Sequence, residues 1–424
     1  MAVGQVCPEC GAGVEGDPRF TVWCAGCEWN VDPEHTEERY GRVERVRRRL
    51  ARRYGERLLD EMAAGGGERA RLDGFGVLAL GFALVVHAVT LAIAASGVWL
   101  LVGVRGVGGV VGGVLLLAVA WSMRPRFGRV PEDAVVLKRA DAPTLYALID
   151  EVGRAVGTRG VDVVVLDADI NASVVPLGLR RRMLVLGLPL WESLTVPQRI
   201  AILGHELGHF VNNDTRRGVV VGSAERSLIL WYSYLRPVPL GLGWLDFLVR
   251  AVLSVPCFLV ICLLHLFDLL SLRASQRAEY LADAAAARAG SSDAAVGAME
   301  RLLVTESIGT TLRREISSRR LRGRRAGRDK DLGAGLWEEL AARMDEIPGH
   351  EYERRRRVGA RRGHAVDSTH PPTHLRLQLL RRSTPVPATV LPDADRERRI
   401  AVELSEGRAE VARVLVRDGM DGEG

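Results

Sequence analysis

The chain has 424 residues, enough for a catalytic domain with accessory parts, and its 47% hydrophobic content stays near the globular average because charged regions offset long apolar runs. A formal net charge of +6 at pH 7 comes from clustered arginine. No cluster is interleaved with aromatic side chains, which argues against nucleic acid as a partner and for membrane proximity or plain solvation. No tandem repeat is apparent.

Cys7-Pro-Glu-Cys10 and Cys24-Ala-Gly-Cys27 are two CxxC knuckles separated by a short loop. Tetrahedral thiolate ligation gives order to a module too small for a core of its own, so residues 1–35 are predicted to form a structural zinc ribbon with Cys7, Cys10, Cys24 and Cys27 as ligands. The ribbon is also a candidate dock for a protein partner. A redox dithiol pair is the competing reading, but no thioredoxin-like pattern surrounds it. Cys257 and Cys262 lie in an apolar run, so no disulfide framework is indicated, as suits the cytosol. No cleavable leader is expected, since the knuckles begin at once.

In residues 36–72, Tyr40, Val43, Val46, Leu50, Tyr54 and Leu58 recur at three- or four-residue spacing amid arginines. That pattern predicts a basic amphipathic helix. It either meets anionic headgroups or lays one face on the catalytic domain. Residues 73–124 follow as a predicted transmembrane hairpin. Gly76 to Val102 carries no formal charge, and Gly106 to Met123 is a second uncharged run after Arg105. Each approaches the ~20 residues that cross a bilayer core, and a buried soluble helix pair is the alternative. Trp99 and Trp121 suit interfacial anchors, and Gly109 with Gly113 suits close helix packing. Arginines on both flanks place ribbon and catalytic domain in the cytoplasm, beneath a multi-pass plasma-membrane protein.

The catalytic domain opens at residue 125 with a predicted helix at Ala142 to Val156 and strands at Asp162 to Leu166, Asn171 to Pro176 and Met183 to Leu186. Thr195 then caps a helix with Pro197 in its first turn. An apolar run leads into Gly204-His205-Glu206-Leu207-Gly208-His209. Residues i and i+4 share a helix face, so His205 and His209 can hold one zinc ion with Glu206 beside the attacking water, the kit for peptide hydrolysis.

Residues 218–270 contain a third apolar segment, Ala251 to Phe267. Glu225, Arg226, Arg236, Asp246 and Arg250 make a full span between Gly218 and Arg250 costly, since a central charge is disfavoured by about 2.5–3.5 kcal/mol on insertion scales. Because the metal ligands on either side must meet, this region crosses the membrane twice or not at all, and a re-entrant or interfacial hairpin rivals two full spans. Four spans are expected in total, with two as the alternative. Beyond it, Glu279 in Arg277-Ala278-Glu279-Tyr280-Leu281-Ala282-Asp283 is the candidate third ligand, on a strongly helical alanine-rich run. Asp283, one turn on, is placed to accept the free ring N–H of a ligating histidine. A solvated acidic pair is the plainer reading.

Three separated blocks, His205 to Asp214, Glu279 to Asp283, and Ser368-Thr369-His370-Pro371-Pro372 with Arg376, resemble the HtpX-like membrane-bound zinc metalloproteases, relatives of the CAAX prenyl proteases. The likeness covers roughly residues 125 to 380. It implies a gluzincin-type zincin domain in two parts, 125–217 and 271–380, with Glu279 as third zinc ligand. It also implies that His370 and Arg376 lie near the active site, that Asn171 and Ala172 line it on a small sheet, and that the role is membrane-protein quality control. An exposed sheet edge there would capture a polypeptide substrate by strand addition. Gln198 stands where relatives are often acidic, and arginine-rich insertions at Arg319 to Arg328 and Arg354 to Arg362 depart from a compact core. Residues 381–424 read as a charged helical tail, helical from Asp393 to Met420, without assignable chemistry.

The expected fold is therefore a mainly α membrane protein with a small β-sheet in its zincin domain, and the expected function a zinc endopeptidase with one catalytic and one structural zinc. The rivals are a membrane-tethered ribbon adaptor with a regulated or inactive protease-like domain, and a CAAX-type prenyl protease, for which the strong spans are too few.

Overall fold

Apolar and charged stretches separate, in a computed structural model, into two units of different surface chemistry. Described here are residues 3–17, 19–33, 53, 55–64, 74–124, 129–178, 181–211, 214–236, 243–326, 333–362 and 371–419. The first unit takes Met1–Glu68, Val130–Val211 and Ala278–Gly424; the second takes Arg69–Arg129 and Asn212–Arg277.

The first unit begins with an antiparallel pair, β1 (Val3–Val6) and β2 (Gly13–Gly16), which carries the first knuckle between its strands. Residues 55–63 are helical and are labelled α1. Leu58 and Leu59 are buried against Tyr280, Leu375 and Leu379, so this stretch of the basic helix lays its apolar face on protein. Tyr40, Val43, Val46, Leu50 and Tyr54 of the same expected helix lie outside the described residues.

The second unit holds α2 (Gly74–Gly103) and α3 (Val107–Ser122), joined at Gly106, whose φ of 108° suits glycine. Their approach depends on glycine: a Cβ on Gly113 would sit 2.6 Å from the Leu101 side chain and 2.8 Å from the Gly97 carbonyl. With 16 residues, α3 rises only about 24 Å, short of a bilayer core of about 30 Å. Among the described residues two helices are long and apolar enough to cross a membrane by length and composition, at Gly76–Gly103 and Asp246–Leu270. The unit also contains α7 (Asp214–Leu235) and the first part of α8 (Trp244–Gly290), with Ala83, Val86, Ala224, Leu228, Trp231, Val260 and Phe267 as its core. His87 of α2 ties to α7, with Nε2 3.1 Å from Ser223 Oγ.

In the first unit, β3 (Val135–Leu137), β4 (Val163–Asp167), β5 (Ala172–Leu177) and β6 (Arg181–Gly187) form one sheet in the order β3-β4-β6-β5. Only β4 and β6 run parallel. The helix α4 (Pro143–Val156) buries Leu145, Leu148, Ile149 and Val152 against the sheet. Its Tyr146 hydroxyl donates to Leu137 O (2.8 Å) and accepts from Val164 N–H (2.9 Å), which fixes the β3–β4 pair. Next come α5 (Leu188–Ser193) and α6 (Val196–Gly208). α6 opens with a capping box in which Gln198 Oε1 accepts from Thr195 N–H at 3.0 Å. Gln198 thus secures the start of this helix.

After α8 the chain runs through α9 (Ser292–Leu303), α10 (Thr305–Ala326), α11 (Leu336–Asp345), α12 (Gly349–Arg362), α13 (Thr373–Arg382) and α14 (Ala394–Asp418). Ile400, Leu404, Val411, Ala412 and Leu415 of α14 belong to the same core as the sheet and α6. Glu403 of α14 accepts from the Thr144 and Leu145 N–H groups at 2.8 and 2.9 Å, capping α4, which has no cap of its own. The C-terminal helix is an integral layer of this unit.

Candidate metal centre and active site

Two helices must come unusually close to bring His205, His209 and Glu279 together, and the sequence allows it through small residues. A Cβ on Gly204 would lie 2.6 Å from Ala289 Cβ, and one on Gly208 would lie 2.8 Å from Ala285 Cβ. On the other side, a Cβ on Gly290 would lie 2.8 Å from Pro197 O. α6 therefore packs backbone to backbone on residues 282–290 of α8, and both histidines face the carboxylate of Glu279 across the seam.

His205 Nε2 lies 3.3 Å from His209 Nε2 and 3.5 Å from Glu279 Oε2, while His209 Nε2 is 3.6 Å from Glu279 Oε1. Ligands bound at about 2.0–2.1 Å around a tetrahedral zinc stand about 3.3–3.4 Å apart, so the two ring nitrogens at 3.3 Å, each with a different oxygen of Glu279 within 3.6 Å, suit one such ion. The group could hold a metal ion.

Behind the ligands lies a buried charge lattice. Asp283 Oδ1 is 3.1 Å from His205 Nδ1, the ring nitrogen away from the other two ligands. Arg376 of α13 donates to both oxygens of Asp283, from Nη2 at 2.6 Å and Nε at 2.8 Å. Its Nη1 stands 3.3 Å from Glu279 Oε2, and Nη2 also lies 3.3 Å from His205 Nδ1. Burial disfavours the charged form of His205, but its bonds to Asp283 and Glu279 outweigh that and raise its pKa to about 9. His209 is half-buried, and its desolvation, with the charge of His205 beside it, pushes its pKa down to about 4. Burial likewise opposes ionisation of Asp283, yet Arg376 holds its carboxyl below the usual carboxylate range.

Glu206 is partly buried and turned toward the sheet, where Oε2 accepts from Val174 N–H at 3.2 Å. Val174 belongs to β5, an edge strand. Asn171 O accepts from Gly187 N–H (2.8 Å), so the alternate residues Ala172, Val174 and Pro176 turn their backbone away from β6. Ala172 N–H bonds the Asn171 side chain at 2.8 Å, and Pro176 has no N–H. Asn171 and Ala172 therefore open the strand that holds Glu206. His370 lies outside the described residues.

The four cysteines form a second cluster that could hold a metal ion. Cys7 Sγ is 3.6 Å from Cys27 Sγ, and Cys10 Sγ is 3.5 Å from Cys24 Sγ. Zinc–sulfur bonds of about 2.3 Å set tetrahedral thiolates roughly 3.7 Å apart, which these separations fit. The Cys27 amide favours the Cys24 thiolate and, against burial, draws its pKa down to about 6.

The close approach at Gly204 and Gly208 was not among the sequence-based expectations, although the GxxxG spacing opposite an alanine run signals it. Nor was the seating of the four-cysteine module on α12, described below, since an arginine stripe does not declare what it faces.

Two imidazoles and a carboxylate that could hold one metal ion, with another carboxylate alongside, suit metal-dependent hydrolysis. Residues 140–384, more than half of the chain, match Peptidase family M48, and the chain belongs to that family. It is a metallopeptidase of the HtpX and CAAX protease group, whose members use zinc. No curated protein and no solved structure matches it.

Proposed function

We propose that the protein is an integral-membrane zinc endopeptidase that cleaves cytoplasmic or membrane-protein segments, with His205, His209 and Glu279 as catalytic zinc ligands and Glu206 as general base. The observation that carries this reading is the 3.3 Å spacing of the His205 and His209 ring nitrogens, each within 3.6 Å of an oxygen of Glu279, beside Glu206. Zinc bound there supplies a Lewis acid that activates water and polarises the scissile carbonyl. Glu206 takes the proton of the attacking water and returns it to the leaving amine. The Val174 N–H sets the carboxylate's direction. Asp283 fixes the His205 tautomer through Nδ1, and Arg376 neutralises the buried acids that do so. The family resemblance adds His370 as a partner of the oxyanion.

Substrate is read as an extended strand added to β5, whose outward carbonyls at Ala172 and Val174 suit backbone bonding with loose side-chain selectivity. Such binding fits a quality-control enzyme, the role that the HtpX-like resemblance implies. Membrane insertion is supported by how little of the apolar helices is covered: 17% and 11% of the apolar windows in Gly76–Gly103 and Asp246–Leu270 is buried, where a soluble core helix would be enclosed. Arginine-rich flanks argue for a cytoplasmic catalytic domain, with two or four crossings.

Replacing His205 or Glu279 with alanine in the purified protein should remove one of two zinc equivalents and abolish proteolysis. Full zinc content with activity in either variant would exclude that residue as a ligand.

A further inference from the structure

One face of the arginine run on α12 meets protein: Arg354 is buried, Arg357 half-buried, and Arg361 and Arg362 are exposed yet paired. Arg354, Arg357, Val358, Arg361 and Arg362 share one helix face, and the four-cysteine module contacts that face along its length. Arg354, itself buried and paired with Glu351, donates from Nη1 to Val31 O at 3.0 Å. Arg357 donates to Ala25 O at 2.7 Å and stacks over Trp23 at 5.0 Å. Arg361 pairs with Glu28 (2.6 Å), and Arg362 grips both oxygens of Asp32 (2.6 and 2.8 Å). Trp23, Val31 and Val358 close an apolar centre beneath these bonds.

The neighbouring face of α12 is wired toward the metal centre. Glu300 Oε1 of α9 accepts from Arg356 of α12 and from Arg381 of α13, each at 2.5 Å. Tyr352 joins the main core from the same helix. α13 is the helix that places Arg376 on Asp283, Glu279 and His205. Polar contacts thus link the module to α12, and α12 through Glu300 to Arg381, while the helix α13 itself joins Arg381 to Arg376.

We propose that the four-cysteine module is a positioning element of the peptidase site: seated on α12, it holds Arg376 in register through Glu300 and α13. This rests on the metallopeptidase reading above. The module's anchoring residues are Trp23, Glu28, Val31 and Asp32, and metal loading of the module is what keeps the seat formed. A module with this role has its main docking face already filled by its own chain. The positioning residues on the catalytic side are Arg354, Arg357, Arg361, Arg362 and Glu300.

The experiment uses the full chain in detergent, loaded with zinc or with cobalt. It compares wild type, the seat variant Arg357→Ala/Arg361→Ala/Arg362→Ala, Glu300→Gln, and the combination of the two. Read out are metal equivalents, the cobalt absorption bands of the His205-His209-Glu279 site, amide exchange over residues 373–382, and kcat and KM on an unfolded casein. Seat loss and Glu300→Gln should each leave two metal equivalents and KM within about twofold, while shifting the cobalt bands, speeding exchange in α13 and lowering kcat about tenfold, as for lost outer-shell support. The combined variant should be no worse than the poorer single one, because both break one path. Unchanged cobalt bands and α13 exchange in the seat variant would overturn the proposal, as would effects that multiply in the combination. Since the spectra and exchange need no turnover, an inactive wild type with responsive spectra would count against the protease reading alone.

Discussion

Arg376 is the group whose loss the structure makes most costly. Its guanidinium makes bonds of 2.6 and 2.8 Å to an Asp283 that is 1% exposed, and touches Glu279 at 3.3 Å. Arg376→Met keeps the packing volume and strips the guanidinium from buried Asp283, leaving His205 as its remaining cationic neighbour, a change that should cost about 3 kcal/mol, the low end for a broken buried pair. Removing the stranded charge as well, in Arg376→Met/Asp283→Asn, should recover roughly 1–3 kcal/mol of that, the coupling range of contacting residues. The assay is urea unfolding of the detergent-solubilised, metal-free chains, followed by tryptophan fluorescence at pH 7. The sign in acid is also set. Asp283 titrates below its unfolded value in the wild type, so its contribution is present above the ordinary carboxylate range and is lost as pH falls through the depressed folded pKa. In Arg376→Met that protective window should narrow, since only His205 then favours the Asp283 carboxylate. Additive single losses, or a single loss within about 0.5 kcal/mol of wild type, would refute the charge lattice as described.

Further expectations concern the ligands and the helix seam. His205 has a pKa raised to about 9 in the metal-free fold, above an ordinary value near 6.5. Protonated His205 should therefore stabilise the metal-free protein fully below about pH 6.5 and progressively less up to pH 9. Zinc must displace that proton, so calorimetry in buffers of different ionisation enthalpy should show about one proton released at pH 7.5, and zinc affinity should climb with pH up to about 9. Gly208→Ala forces a methyl to 2.8 Å from Ala285 Cβ. Overpacking there should cost about 1–3 kcal/mol and weaken zinc binding, and Ala285→Gly should relieve both. Glu403→Gln, which weakens the charged cap on α4, should lower stability by roughly 1 kcal/mol without changing metal content.

What the sequence exposed follows from the range of the interactions involved. His205, Glu206 and His209 are legible because helical periodicity alone puts them on one turn, and Thr195 with Pro197 announces where that turn starts. The strands are legible to within a few residues, with β4 observed at Val163–Asp167 and β6 at Arg181–Gly187. Long-range pairings carried weaker signals. Gly204 and Gly208 mean close approach only once Ala285 and Ala289 are known to lie opposite. The arginines of α12 look like a solvated face until Glu28, Val31 and Asp32 arrive from more than 300 positions away. Glu403 reaches α4 from the C-terminal helix in the same way. The arginine insertions and the charged tail therefore read as peripheral, whereas α12 and α14 are built into the unit that carries the candidate metal centre.

The most direct measurement compares proteolysis of an unfolded model protein by zinc-loaded wild type and Glu206→Gln in detergent, with metal content determined on both. The account expects equal zinc occupancy, since Glu206 is not a ligand, with cleavage by the wild type alone. Equal cleavage by the two proteins would contradict the mechanism, and a wild type that binds zinc at both clusters yet cleaves nothing in detergent or in a bilayer would contradict the assignment as an endopeptidase.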